Sequence, residues 1–297
     1  MRSMLKLIKR LAHKGLERYG YQVLKKQAIN PDYKIPLYES LFDKDSLDKK
    51  RFYNIGAGGF FHPFWTNVDF YNSWYKKYAS NIGIHFDLMK CEALPIESSS
   101  AEIVYTSHTI EHITDQAISN MFNEAYRILK PGGCFRITAP DVNNWYRAFQ
   151  KNDRHFFDDS IAYYSSPSVM SELDIHAMDQ ASLGSIFQYY FSATTSPLTK
   201  YDTKRKFSDE ELIAIFVERS YSDALTYICS HCYFDPDKTG YHINWVNAEK
   251  VVSMLREAGF SDIYVSAFGQ SYSPVLRDIM LFDNTVPEWS CYVEAFK

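Results

Sequence analysis

Three groups of side chains in this sequence have types and spacings that could do chemistry. The first is Asn54-Ile55-Gly56-Ala57-Gly58-Gly59, which follows an apolar run and precedes an acid, Asp69. Glycines suit a turn whose backbone must approach a ligand, because they adopt φ values that other residues resist. A carboxylate beside such a turn can accept both hydroxyls of a ribose, as in nucleotide-binding α/β folds. The second group, His108-Thr109-Ile110-Glu111-His112, spells H-x-x-E-H. Within a helix that pattern sets two zinc ligands one turn apart with a glutamate between them. The third, Cys229-Ser230-His231-Cys232, could hold a metal or change redox state.

The elements that must position these residues alternate. Phe52, Tyr53 and Ile55 read as a buried strand, and a second strand ends at Asp69 with Phe70 following. Ile84 to Leu88 is a third strand candidate that carries Asp87, and Glu102 to Ser107 is a fourth that delivers His108 to its carboxyl end. Asp115 to Leu129 has helical periodicity through Ile118, Phe122 and Ala125, stopped by Lys130-Pro131-Gly132-Gly133. Cys134 to Ala139 is a fifth strand running to Asp141, and Val246 to Ala258 is an amphipathic helix closed by Gly259. Ser261–Phe268 and Trp289–Phe296 supply the last two strands. Such alternation predicts an α/β fold with a largely parallel sheet, whose ligands bind beyond the strands' carboxyl ends. Asp69, Asp87, His108 and Asp141 all fall there. In this setting H-x-x-E-H caps a strand instead of lying inside a helix, and no second pair matches Cys229 and Cys232. The sequence therefore predicts no metal site.

A chain of 297 residues, 46% hydrophobic and 23% charged, can bury a sizeable core, and its net charge of −4 argues against a dedicated nucleic-acid binder. The five scattered cysteines and the lack of a secretory leader point to free thiols and a cytoplasmic protein. Residues 1–26 carry Arg2, Lys6, Lys9, Arg10, Lys14, Arg18, Lys25 and Lys26 opposite Leu5, Ile8, Ala12 and Leu16. That pattern predicts a basic amphipathic helix, suited either to the inner face of an anionic membrane or to packing on the domain or a second subunit. Charges interrupt each apolar run too early for it to cross a bilayer. Gln27 to Lys50 reads as a polar connector.

The run Asn54-Ile-Gly56-Ala-Gly58, then Asp69, Asp87, Ser107-His-Thr-Ile-Glu-His-Ile113 and Glu124-Ala-Tyr-Arg-Ile-Leu-Lys-Pro-Gly-Gly133 resembles class I methyltransferases dependent on S-adenosylmethionine, particularly small-molecule and glycan enzymes. The resemblance is strong over residues 51–141 and looser near the C-terminus. It implies a Rossmann-like seven-stranded sheet with helices on both faces and an antiparallel edge strand. It also implies a division into residues 1–50, a core of 51–142 with 245–297, and a mostly helical cap insertion of 143–244. By the same resemblance Asn54, Gly56, Ala57 and Gly58 approach the methionine portion of the cofactor, Asp69 and Phe70 the ribose, and Asp87 and Leu88 the adenine. Ser107 and His108 line the floor beside the sulfonium. Two departures stand out: an amide at Asn54 where the family has an acid, and a link of Phe60 to Trp65 that leaves little room for the first crossover helix.

Within the cap, His155, His176, His231 and His242 are candidate bases, and Trp145, Tyr146, Tyr189 and Tyr190 candidate stacking surfaces. The catalytic candidates are His108, His242 and Asp141, a base near neutrality being what removal of a hydroxyl proton asks for. The expected acceptor is a sugar hydroxyl in a bacterial surface polysaccharide or glycolipid. Alternatives are a natural-product or lipid acceptor, or a scaffold that binds the cofactor without catalysis.

Overall fold

The computed structural model describes residues 33–72, 80–201 and 205–297. The basic segment 1–26 lies outside the described residues. The chain divides into two compact units, Met1–Pro36 and Leu37–Lys297, and the strands described here belong to the second.

Seven strands form one sheet: β1 Phe52–Ile55, β2 Trp65–Asp69, β3 Ile84–His85, β4 Ala101–Ser107, β5 Leu129–Pro140, β6 Asp262–Val265 and β7 Ser290–Phe296, in the order β3-β2-β1-β4-β5-β7-β6. The first five are parallel, and β7 runs antiparallel to both β5 and β6. This is the α/β, Rossmann-like methyltransferase architecture that the motifs imply.

Side-chain alternation along the strands splits the apolar residues between the two faces. Tyr53, Ile55, Val104, Phe135 and Ile137 pack with helices α3 (Asp115–Ile128) and α10 (Ala248–Glu257). Helix α3 starts at Thr114, whose hydroxyl accepts from Ala117 N, and it buries Ile118, Met121, Phe122, Ala125 and Ile128. Each large apolar side chain so buried contributes about 1.5–3 kcal/mol. Phe52, Trp65, Ile103, Tyr105 and Cys134 face the other way, toward Tyr38, Leu47, Val275, Leu276 and Phe282.

On that second face the expected connector differs from what forms. Residues 35–48 make two short helices, α1 Ile35–Leu41 and α2 Lys44–Asp48, and Tyr38 accepts a 2.7 Å bond from Trp65 Nε1 while its ring packs edge-on against Phe52. Aromatic packing organises a segment that looked polar from its prolines and charges alone. The link from β1 to β2, residues 56–64, contains no helix. Lys130-Pro131-Gly132-Gly133 both ends α3 and opens β5, with a register shift opposite Ala101–Ile103.

Between β5 and α10 the chain forms helices α4 Val142–Gln150, α5 Asp158–Tyr164, α6 Pro167–Glu172, α7 Leu183–Phe191, α8 Asp209–Glu218 and α9 Tyr221–Cys229. All of them but α6 contribute to an apolar cluster that includes Trp145, Phe157, Ile186, Phe187, Phe207, Leu212 and Leu225. Among the described residues no helix is long and apolar enough to cross a membrane.

Candidate active site

Strand β1 ends in the glycine loop, where Gly56 has φ +72° and Gly58 φ +51°. A Cβ on Gly56 would fall 2.1 Å from Thr109 Oγ1, whereas one on Gly58 would meet nothing within 4 Å. The loop is thus pressed against the end of β4 on one side and open on the other. Gly58 N donates to Asp69 Oδ2 at 2.7 Å, and Phe70 N donates to Asp69 Oδ1 at 2.7 Å. Burial pushes the Asp69 carboxyl above the usual range although both amides oppose it.

A cavity of about 410 Å³ opens beside this loop, a size that suits a small ligand. It is lined by Gly56, Ala57, Gly58, Asp69, Phe70, Asp87, Leu88, Ser107 and His108. Asp87 Oδ1 accepts from Met89 N and caps the 3-10 turn Leu88–Lys90, which leaves Oδ2 for other donors. Asn54 departs from expectation. It is buried within β1, between Asn67 of β2 and Tyr105 of β4, and does not line the cavity. Sequence reasoning missed Phe86, Thr109, His112, Phe234, Thr239 and Thr285, which also line it. His112 and Thr109 lie inside a motif already singled out, but nothing local marks Phe234 or Thr239.

The open loop, the desolvated carboxylate with unused acceptor capacity and the apolar slot of Phe70, Phe86 and Leu88 fit a nucleoside cofactor. Among the described residues no side chain closes the hollow.

A second cavity of about 800 Å³ adjoins the first, and His108, His112 and Thr285 line both. Its walls include Glu111, Trp145, Tyr189, Tyr190, His242 and Trp289, with Asp158, Asp159 and Glu288 as exposed acids. Trp145 packs on Tyr190 with ring centroids 4.9 Å apart, and Trp289 meets Tyr190 edge-on at 5.4 Å. Tyr146 lies away from this cavity, in contact with Phe216 and Tyr221.

His108 has φ +51°, a left-handed conformation at the abrupt exit from β4. Its Nε2 is 2.8 Å from Ser290 Oγ and its Nδ1 3.2 Å from Glu111 Oε1. Glu111 is 1% exposed. Burial opposes its ionisation, but His108, His112 and His242 outweigh that and hold its carboxyl down to about 2. Burial and the neighbouring His112 push His242 down to about 4. Asp141 is not at the site: it lines neither cavity, and its Oδ1 caps α4 by accepting from Asn143 N at 3.0 Å. A strand end puts a residue near a mouth without fixing its direction, and here the helix start claims the side chain.

His155 sits exposed beside Asp158 on the rim, His176 is exposed, and His231 donates from Nδ1 to Tyr227 O. Among the described residues, the one grouping of three ligand-type side chains able to hold a metal is Glu111, His112 and His242, not Cys229, His231 and Cys232.

Residues 65–137 match a family model described as a methyltransferase domain. No curated protein matches the chain. Solved structures similar to it include S-adenosylmethionine-dependent methyltransferases of Archaeoglobus fulgidus (13% identity, 97% of this chain and 94% of that one, TM-score 0.40), Mesorhizobium loti (15%, 83% and 90%, 0.37) and Thermotoga maritima (14%, 83% and 82%, 0.38). Over residues 65–137 the chain is thus similar to a methyltransferase domain, and S-adenosylmethionine is the methyl donor that such a domain implies.

Proposed function

We propose that the chain methylates a hydroxyl of a sugar or similar polyhydroxylated acceptor, of the kind found in precursors of bacterial surface polysaccharides or glycolipids. In this reading Gly56, Ala57, Gly58, Asp69, Phe70, Asp87, Leu88 and Ser107 hold the cofactor, and the helical segment 143–244 forms the acceptor's cap. The cofactor supplies a methyl carbon on a positively charged sulfur, already activated for direct displacement, so alignment is the protein's main contribution.

The observation that carries the reading is His108, which lines both cavities and so stands where an acceptor oxygen and the cofactor pocket meet. A carboxylate only accepts, so Glu111 at 3.2 Å favours the proton on His108 Nδ1 and leaves Nε2 as the base. After Nε2 takes the hydroxyl proton, the buried carboxylate stabilises the imidazolium. Ser290, whose Oγ also lies 2.8 Å from Val286 O, can turn away as the acceptor hydroxyl takes its place.

The larger cavity suits a polyol. Aromatic faces offer stacking, and Asp158, Asp159 and Glu288 accept hydroxyl protons at the mouth. The same acids and rings would also attract a cationic amine, so N-methylation is the second reading. The charge of residues 1–26 supports docking to an anionic membrane, where a lipid-linked glycan would be presented.

The test is S-adenosylhomocysteine release with pools of sugar nucleotides and glycolipid precursors set against pools of amines. Turnover with hydroxylated acceptors is expected. Turnover with amines alone would select the second reading, and cofactor binding without turnover would favour the scaffold.

A further inference from the structure

The pattern H-x-x-E-H reappears in three dimensions with a different division of roles. Glu111 and His112 lie on the 3-10 turn Ile110–His112, and a distant residue, His242, joins them. The two segments are tied by their backbones: Ile243 N and Asn244 N donate to Glu111 O at 2.9 and 3.1 Å, and Asn244 Nδ2 donates to Ile113 O at 3.0 Å.

The hydrogen bonds fix both imidazole tautomers. His112 Nδ1 lies 3.1 Å from Tyr241 O, and His242 Nδ1 lies 2.6 Å from Tyr190 O. A carbonyl cannot donate, so each Nδ1 carries the proton and each Nε2 of the neutral ring presents a lone pair. Backbone carbonyls on the far ring nitrogen are the outer partners that metal-ligating histidines use. His112 Nε2 is 3.7 Å from Glu111 Oε1, and one ligand atom from each of the three side chains lies within 4.8 Å of the others. Of the buried Glu111 carboxylate, Oε1 faces His108 Nδ1 at 3.2 Å and Oε2 has no hydrogen-bond partner. The His112 lone pair, a ligand nitrogen of His242 and a buried carboxylate with one unpartnered oxygen therefore lie together, an arrangement that a cation resolves.

We propose that Glu111, His112 and His242 bind one divalent transition metal ion on the wall of the larger cavity. Two imidazoles and one carboxylate are a donor set for Fe²⁺, Zn²⁺, Mn²⁺ or Co²⁺, and three protein ligands leave positions open to water and to an oxygen of the acceptor. If the methyl-transfer reading holds, a hydroxyl on that ion loses its proton more readily, and the proton passes to His108. The site itself rests on the donor geometry alone.

The test strips the full-length protein with chelator, titrates Co²⁺ while following visible absorption, and measures bound Zn²⁺ and Mn²⁺ by elemental analysis. One ion per chain is expected. Glu111→Gln and His242→Gln should each weaken it by more than the about 10-fold that losing even an outer partner costs. Cys232→Ser should retain it, and calorimetry with S-adenosylhomocysteine reports whether each variant is folded. An absence of binding by the wild type, or binding lost in Cys232→Ser and kept in His242→Gln, overturns the proposal. Should a variant also lose S-adenosylhomocysteine binding, the wild-type stoichiometry and Cys232→Ser decide. An ion bound at this site with no methyl transfer would leave the inference standing and remove the function. Transfer that survives chelation in a chain that binds no ion would do the reverse.

Discussion

Gly58 N donates a 2.7 Å hydrogen bond to Asp69 Oδ2, so the loop after the first strand and the acid closing the second form one unit. The carboxylate holds the loop in place and keeps lone pairs for a ligand. Replacing Asp69 by Ala should weaken S-adenosylhomocysteine binding by about 1.5–3 kcal/mol, the worth of hydrogen bonds to a charged group, or roughly 10- to 100-fold in Kd. Calorimetry on the variant checks this.

Because burial raises the Asp69 pKa, the carboxyl takes up its proton at a higher pH than an ordinary aspartate, whose value is about 3.9. A protonated carboxyl accepts ribose hydroxyls poorly. Cofactor affinity should therefore be full near neutrality and fall as acidity increases, starting above that ordinary value. Asp69→Asn should bind weakly with a flatter pH profile, which Kd measurements across the acid range would reveal.

His108→Gln would remove the proposed base while keeping a side chain of similar reach. The expected result is a fall in kcat of about 10²- to 10⁴-fold with S-adenosylhomocysteine affinity preserved. Near-normal turnover would remove His108 from the chemistry.

Trp289 contacts Tyr190, Phe156 and Trp145 on the wall of the larger cavity and lies outside the smaller one. Trp289→Ala should raise KM for whichever acceptor turns over, by about 10-fold for one lost stacking surface, and leave the cofactor's Kd unchanged. Steady-state kinetics with each substrate varied in turn separates the two effects.

Arg136 is fully buried on β5, with Nε 3.0 Å from Asp283 Oδ1 and Nη1 3.2 Å from Glu294 Oε1. Arg136→Met would strand two buried carboxylates. Removing one partner of a buried ion pair costs about 3–5 kcal/mol, so the urea midpoint should fall accordingly. The site lies elsewhere, and cofactor affinity at low temperature should survive.

The order of strands and helices was legible because period-2 and period-3.6 patterns, glycine turns and caps act over a few neighbouring residues. Thr114 starts α3 and Asn247 starts α10 by local hydrogen bonds. Asp69 was legible for the same reason, since a strand of known direction after a glycine turn can end in only one place. Residues 35–48 were not, because their helices depend on Tyr38 reaching Phe52 and Trp65.

The sequence by itself determined the sheet, the glycine loop and the acid that line the smaller cavity, and the candidacy of His108 and His242. Only the tertiary structure decided that Asn54 and Asp141 line neither cavity, and that His242 meets His112 with ring centroids 4.9 Å apart. Which way a side chain points is set by what packs around it, and residues far apart in the chain are brought together by backbone pairing such as Ile243 N to Glu111 O. No local pattern records such a pairing.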